Sequence, residues 1–234
     1  MFLNRIPWNK ALSGGFNPAV DLPNVYLWYD ASDESSISDT GGLVDQWNEK
    51  AVGTYHAVKQ IDGDRPTTGS VTQNGLNGIT FDNTDVLINL AINSHYPRSC
   101  IWVASHLESP FGNYDSVISG IPGANPNVLI SGQGASNGFW DGAGTQYGTT
   151  DGTFYVNGLE TTTFLPATTP KIAVGIRSGA ALAADDICIG RLRNDASRVW
   201  NGTIFEIIVA SSSWSDADRI AAQNYLAEKW ALTI

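Results

Sequence analysis

The chain has 234 residues and a formal net charge of −10, with 42% hydrophobic and 15% charged residues. This length suits one large domain, and the apolar fraction is high enough to fill a core, which excludes global disorder. The negative charge argues against nucleic acids and anionic membrane surfaces as partners, because both repel an acidic protein.

The first 20 residues are predicted to be an arm that precedes a single domain, residues 21–234. They carry apolar side chains without helical periodicity, at Phe2, Ile6, Trp8 and Phe16. Apolar surface on this scale requires a partner, so the arm is predicted to contact another subunit or another protein. The segment contains no signal-peptide core, and synthesis and folding in a cytoplasm are expected.

Ten segments are predicted to be β-strands, because each is short, rich in β-branched and aromatic residues, and bounded by Gly, Asn, Asp or Pro. In chain order they are NVYLWYD (24–30), NGITFDN (77–83), VLINL (86–90), SCIWVASHL (99–107), YDSVIS (114–119), NVLIS (127–131), GTFYVNG (152–158), KIAVGIR (171–177), DICIGRL (186–192) and TIFEIIVA (203–210). The Asn-Gly pair at 157–158 is predicted to be a hairpin turn, and the pairs at 74–75 and 77–78 are two more candidate turns.

Two cysteines and three tryptophans are assigned to the core from their surroundings. Cys100 and Cys188 each lie within an apolar run, which predicts buried free thiols. Trp28, Trp47 and Trp102 lie in strand patterns and are predicted to be buried.

One amphipathic helix is predicted over residues 215–231, at the end of the chain. Ser215 suits the N-cap position and Asp218 follows three residues later, as in a capping box. Ala222, Leu226 and Trp230 fall on one face at helical spacing. The fold class is therefore all-β: a two-sheet antiparallel jelly-roll sandwich with one C-terminal helix that covers an edge or an end of the core.

Two groups of motifs carry a resemblance to a known superfamily. The first is LPNVYLWYDASD with GGLVDQWNEKAVGTYHAVKQ and NGLNGITFDNTDVL, and the second is FYVNG with ICIGRL and NGTIFEIIVASSSWSDADRIAAQNYLAEKW. In this order they resemble the concanavalin A-like lectin/glucanase superfamily, and within it the laminin-G-like jelly-roll domains of bacteria and their phages. The resemblance implies the fold more than the function, because lectins, hydrolases, lyases and virion modules share it.

The resemblance raises the question of glycosidase activity. Laminarinase-type members carry two glutamates in a Glu-x-Asp-x-x-Glu strand, which places acid and nucleophile on one face. None of the glutamates in this chain is followed two residues later by aspartate. Glu206, in the last predicted strand, is interpreted as a structural carboxylate that accepts hydrogen bonds from backbone or tryptophan N–H groups. The chain is predicted not to be an enzyme, with no catalytic residues.

Calcium is the one cofactor that the sequence leaves open. Laminin-G-like domains commonly bind it, and Asp30, Asp33, Asp82 and Asp85 lie in two acidic turns. Calcium takes six to eight oxygen ligands, which such turns supply. The alternative is that these side chains satisfy the backbone of their own turns.

A carbohydrate site is predicted in the Gly-rich segment 134–152. It contains Trp140, Asp141 and Tyr147. Aromatic rings in loops can stack against sugars while polar groups bind their hydroxyls. The alternative for these aromatic residues is loop packing or a subunit contact.

These features together predict a non-enzymatic structural protein of a phage virion, made in the host cytoplasm, that decorates the capsid or lies on the tail surface. Expected partners are other virion proteins, further copies of the chain in a closed oligomer such as a trimer, and a cell-surface glycan. Neither nucleic acid nor membrane is expected as a partner. The first alternative is a free carbohydrate-binding lectin module, and the second is a polysaccharide hydrolase or lyase.

Overall fold

The computed structural model describes residues 15–92, 95–107, 114–121, 130–133, 138–140, 151–164, 167–179 and 183–234. Within these ranges the chain forms sixteen strands and two α-helices. The strands are β1 (Val25–Asp30), β2 (Ile37–Thr40), β3 (Leu43–Trp47), β4 (Ala57–Lys59), β5 (Thr67–Gln73), β6 (Leu76–Phe81), β7 (Leu87–Asn89), β8 (Ser99–Ala104), β9 (Ser116–Ser119), β10 (Ile130–Gln133), β11 (Gly138–Trp140), β12 (Thr153–Val156), β13 (Leu159–Glu160), β14 (Lys171–Ile176), β15 (Ile187–Ile189) and β16 (Gly202–Ala210). The helices are α1 (Pro18–Asp21) and α2 (Asp216–Trp230).

All the described strand pairings are antiparallel, and they join the strands into one continuous sheet. Its order is β11-β10-β9-β15-β7-β4-β3-β5-β6-β16-β8-β14-β12-β13, while β1 also pairs with β16 and β2 with β3. Trp47 of β3, Trp102 of β8 and Ile118 of β9 are far apart along this order but belong to one core. The sheet therefore curves over on itself, and the predicted all-β class with a C-terminal helix is confirmed.

Strand β16 is buried along its whole length because both faces of its part of the sheet are covered. Ile207 and Val209 point into the core enclosed by the curved sheet. Phe205 and Ile208 point to the opposite face, which packs against helix α2. A strand covered on both faces is apolar at consecutive positions, which explains the run IFEIIVA.

Helix α2 begins and ends as the sequence predicts. Ser215 accepts a hydrogen bond from the Asp218 backbone N–H, and the Asp218 carboxylate accepts one from the Ser215 backbone in return. The buried face of the helix includes Leu226 and Trp230, which pack against the outer face of the sheet. The helix thus covers apolar surface that water would otherwise reach. No helix in the described ranges has the length and apolar character to cross a membrane.

Two of the three candidate Asn-Gly turns are confirmed. Asn157 and Gly158 join β12 to β13 with φ values of 47° and 80°. Asn74 and Gly75 join β5 to β6 with φ values of 54° and 73°. Both pairs adopt the left-handed conformation that a tight hairpin turn requires.

The third candidate turn, Asn77-Gly78, is wrong, because both residues lie inside β6. A Cβ atom at Gly78 would lie 2.6 Å from Thr203 Cγ2 and 2.7 Å from the Phe205 ring. Glycine is needed here for close packing against β16 and not for a turn. Asn77 is 6% exposed, and its side chain accepts a hydrogen bond from the Gly69 N–H of β5.

The predicted cysteines and tryptophans of the core are confirmed as buried. Cys100 and Cys188 are free thiols, and burial raises the pKa of both, that of Cys188 to about 12. Trp47 and Trp102 are fully buried, and Trp28 is 8% exposed.

The described part of the predicted arm, from residue 15 onward, packs on the domain. Helix α1 is capped by Asn17, whose side chain accepts a hydrogen bond from the Ala19 N–H. The Phe16 ring lies 5.1 Å from the ring of Tyr225 on α2, measured between centroids. The other arm residues singled out from the sequence (Phe2, Ile6 and Trp8) lie outside the described residues.

Candidate functional site

Glu206 has no exposed surface and accepts four hydrogen bonds. Its Oε1 accepts from Trp28 Nε1 at 2.8 Å and from the Tyr225 hydroxyl at 2.9 Å. Its Oε2 accepts from Lys229 Nζ at 2.8 Å and from Trp230 Nε1 at 2.8 Å. These donors occupy the acceptor sites of the carboxylate, so Glu206 joins β1, β16 and α2 as a structural residue. The predicted bonds from tryptophan N–H groups are confirmed.

Asp30 extends this arrangement into an ion cluster that consists of Asp30, Lys50, Glu206 and Lys229. Lys229 Nζ lies 2.6 Å from Asp30 Oδ1, and Lys50 Nζ lies 2.9 Å from Asp30 Oδ2. Burial acts to raise the pKa of Asp30, but the charge of Lys229 and its hydrogen bond leave the pKa below its usual value. Burial and the charge of Asp30 raise the pKa of Glu206. Each of the two carboxylates in this cluster therefore contacts an ammonium group.

In the first pair of calcium candidates, Asp30 and Asp33, both carboxylates form ion pairs with Lys50. Lys50 Nζ lies 2.8 Å from Asp33 Oδ2 in addition to its contact with Asp30. The ammonium groups of Lys50 and Lys229 therefore already supply a counter-charge to Asp30 and Asp33.

The second pair, Asp82 and Asp85, stabilises its own turn. Asp82 Oδ1 accepts from the Thr84 N–H at 2.7 Å, and Asp85 Oδ2 accepts from the Asp82 N–H at 2.8 Å. Burial raises the pKa of Asp85 to about 6, against the opposing effect of the Asp82 hydrogen bond. Among the described residues, no group of three or more His, Cys, Asp or Glu is placed to hold a metal ion. Calcium at these four residues stays a prediction.

The predicted carbohydrate residues lie mostly outside the described ranges. Trp140 is the last residue of β11, where its backbone pairs with Ser131 of β10. Asp141 and Tyr147 are not among the described residues. A sugar site formed by the three stays a prediction.

A different polar pocket lies where the β2–β3 hairpin meets β5. Its volume is about 260 Å³, and the residues that line it are Glu34, Ile37, Asp39, Gly42, Thr68, Gly69 and Asn77. The lining contains two carboxylates, one hydroxyl and one amide, and no lysine or arginine. We call it the hairpin pocket.

Backbone pairing brings the two walls of the hairpin pocket together. Leu43 of β3 pairs with Thr67 of β5, and the Thr68 N–H donates to the Gly42 carbonyl at 2.8 Å. On the hairpin side, Asp39 Oδ1 accepts from the Gly42 N–H at 2.8 Å, which fixes the carboxylate against the turn.

The floor of the hairpin pocket is an interruption in the pairing of β5 with β6. The register shifts between Thr68 and Thr72, and Gly69 has a φ of +77°, which favours glycine. Asn77 fills the gap: its Oδ1 accepts from the Gly69 N–H at 2.8 Å, and its Nδ2 donates to Thr68 Oγ1 at 2.6 Å. The buried amide thus holds the floor in one shape.

Sequence reasoning found only part of the hairpin pocket. Glu34 and Asp39 belong to the acidic segment DASDESSISD, from which only Asp30 and Asp33 were predicted as calcium ligands. The sequence does not predict a role for Thr68, and it predicts Asn77 only as part of a candidate turn. The one available signal was the isolated glycine at position 69 between polar residues, which is typical of a bulge.

Comparison with known proteins shows likeness of fold. No protein-family model and no curated protein matches the chain. The Trypanosoma rangeli sialidase in complex with sialic acid aligns with a TM-score of 0.52 at 13% identity, over 90% of this chain and 34% of the sialidase chain. An arabinofuranosidase complexed with arabinofuranosyl-α-1,2-xylobiose aligns with a TM-score of 0.52 at 14% identity, over 89% of this chain and 60% of the other. This chain thus spans about a third of the sialidase and 60% of the arabinofuranosidase.

These comparisons correct two predictions. The prediction of a non-enzymatic phage structural protein is wrong, because the similar structures are a sialidase and an arabinofuranosidase with carbohydrates bound. The prediction that the chain is not an enzyme is wrong on the same finding. It relied on the absence of one linear carboxylate motif, whereas Glu34 and Asp39, outside any such motif, line one pocket. The chain has an all-β, largely antiparallel fold whose structural neighbours are carbohydrate-related.

Proposed function

We propose that this chain is a carbohydrate-recognition domain with a concanavalin A-like jelly roll, and that it serves a carbohydrate-active enzyme. The structural neighbours support the proposal, since one is bound to sialic acid and another to an arabinofuranosyl xylobiose. This chain aligns with 34% of the sialidase and 60% of the arabinofuranosidase, which suits one domain of such an enzyme better than a complete enzyme.

The observation that carries the proposal is the polar character and size of the hairpin pocket. Sugar hydroxyls both donate and accept hydrogen bonds, and the pocket offers acceptors on Glu34 and Asp39 and a hydroxyl on Thr68. Its volume of about 260 Å³ falls just below the range of about 300–1,000 Å³ typical of small-molecule sites. The pocket therefore suits one sugar unit of a longer glycan.

The test is a screen of the intact protein against an array of polysaccharides and oligosaccharides. The proposal expects the native protein to bind at least one glycan class, and the heat-unfolded protein to bind none. A native protein that binds no carbohydrate on the array would refute the proposal.

Hydrolysis of a glycosidic bond is a second candidate function. It is favoured by the presence of Glu34 and Asp39 in one pocket, because glycosidases use two carboxylates on either side of the scissile bond. Release of reducing sugar from a bound glycan, lost in both Glu34→Gln and Asp39→Asn, would establish it. Binding without release would leave recognition as the function.

A further inference from the structure

We infer that the hairpin pocket selects a neutral sugar unit and excludes sugars that carry a carboxylate or sulfate. The inference rests on the proposed function and adds the chemical class of the ligand. It separates this chain from its structural neighbour that is bound to sialic acid, an anionic sugar.

The first argument is the charge of the pocket. Glu34 and Asp39 line it without any lysine or arginine to offset them. The cations of adjacent segments are already paired: Lys50 lies 2.8 Å from Asp33 Oδ2, and Arg65 Nη1 lies 3.1 Å from Asp45 Oδ1. An anionic sugar would meet two like charges on a protein whose net charge is −10.

The second argument is the pattern of donors and acceptors. Asp39 Oδ1 accepts from the Gly42 N–H, and the carboxylate has a second oxygen, Oδ2, that can accept from a ligand hydroxyl. Thr68 Oγ1 accepts from Asn77 Nδ2, which leaves its own O–H to donate to a ligand. Adjacent hydroxyls of a neutral sugar match this arrangement, since one donates to the carboxylate and its neighbour accepts from threonine.

The third argument is that the pocket is formed before the ligand arrives. Asn77 holds the Gly69 N–H and the Thr68 hydroxyl from below, and it is 6% exposed. A Cβ atom at Gly69 would meet no atom within 4 Å, so the space above this residue is open. Binding to a site that is already hydrogen-bonded and open lowers the entropic cost of ordering it.

The experiment compares neutral and acidic glycans on the full chain by glycan array and by calorimetric titration of the best neutral ligand. Thr68→Val should weaken neutral binding about 2–10-fold, the effect of one ordinary hydrogen bond. Asp39→Asn should weaken it about 10–100-fold, because its hydrogen bond involves a charged acceptor. The double variant Glu34→Gln/Asp39→Asn should raise the ratio of acidic to neutral binding severalfold.

Two matched controls lie outside the pocket. Thr72→Val changes an exposed threonine on the same strand, and Glu228→Gln removes an exposed carboxylate from α2. Both controls should bind as the wild type does, and thermal melting should show that all the variants are folded.

The outcomes distinguish this inference from the proposed function. Binding of neutral glycans that falls in the pocket variants and not in the controls supports both. A preference for acidic glycans, or neutral binding that the pocket variants leave unchanged, overturns the inference while carbohydrate recognition stands. Binding of no glycan at all overturns the proposed function, and the inference with it.

Discussion

At the scale of single residues, the ion cluster shows how a buried charge can stabilise a β-fold. Glu206 and Asp30 belong to neighbouring strands, and Lys229 reaches both of them from α2. Each charge is tolerated in the interior because an opposite charge and several hydrogen bonds accompany it. The cluster is therefore sensitive to the loss of any one member.

Glu206→Gln should destabilise the protein by about 3–5 kcal/mol. Both carboxylate oxygens accept hydrogen bonds, so the amide NH2 of glutamine would face donors such as Lys229 Nζ and Trp230 Nε1, and Lys229 would keep one counter-charge fewer. Urea unfolding measures the change. Glu228→Gln removes an exposed carboxylate from α2, the helix that carries Lys229, and should change stability by less than about 0.5 kcal/mol. Equal stability of the Glu206 variant and the wild type would show that the cluster contributes little. Glycan binding by the folded variant should be unchanged, since Glu206 is fully buried.

Asp85 gives the stability a pH dependence whose sign follows from its environment. Burial raises its pKa to about 6 in the folded protein, above the value of about 3.9 in an unfolded chain. Ionisation is therefore harder in the folded state, and the protein loses stability as the pH rises between these two values.

Asp85→Asn should consequently stabilise the protein at about pH 7.5 and have little effect at about pH 3, where Asp85 is mostly neutral in both the folded and the unfolded state. Asparagine can still accept the hydrogen bond from the Asp82 N–H. Urea unfolding of the variant and the wild type at the two pH values tests this. A gain that is the same at both values would assign the effect to packing instead of ionisation.

At the scale of elements, helix α2 stabilises the fold by covering one face of the sheet. Leu226→Ala should cost about 2–4 kcal/mol, the sum of lost transfer free energy and a residual cavity. Ile220→Ala on the same helix should cost little, because Ile220 is 42% exposed. Thermal or urea unfolding measures both. A Leu226 variant with an unchanged melting temperature would contradict docking through this residue.

The sequence predicted the strands that are rich in apolar residues and missed the polar ones. Strand β5, with the sequence TTGSVTQ, is largely exposed and becomes a strand because it pairs with the apolar β6. Trp47 is predicted to lie in a strand pattern, but β3 is not among the ten predicted segments. Its buried Val44 and Trp47 are three residues apart, which breaks the alternation that identifies a full strand. In both cases pairing with neighbouring strands forms the strand: β5 pairs with β6, and β3 pairs with β2, β4 and β5.

The candidate site shows the same limit. Its acids were visible in one short segment, but the opposite wall comes from residues 68–77. The connection depends on the pairing of Leu43 with Thr67 and on the position of the Asn77 amide. No local pattern carries that information. An Asn-Gly pair reads the same in the sequence whether it forms a turn or, like Asn77-Gly78, lies in a strand packed against Phe205.

At the scale of the whole molecule, we propose that residues 2–14 mediate contact between copies of the chain, most simply in a closed trimer. Phe16 packs on Tyr225, so the truncation should stop before it. Deletion of residues 2–14 should leave the melting temperature unchanged within a few degrees and lower the oligomeric mass measured by light scattering. A truncated protein with unchanged mass, or a monomeric wild type, would contradict the proposal.

The central claim, that the chain recognises carbohydrate through the hairpin pocket, is tested most directly by mapping a bound glycan with amide NMR. The ¹H–¹⁵N signals of the intact protein are followed during titration with the neutral oligosaccharide that binds best on the array. We predict that the shifts concentrate on Gly42, Thr68, Gly69 and Asn77, the residues that meet across the pocket. Shifts confined to other residues, such as Trp140 and its neighbours, or no shifts with any glycan, would contradict the claim.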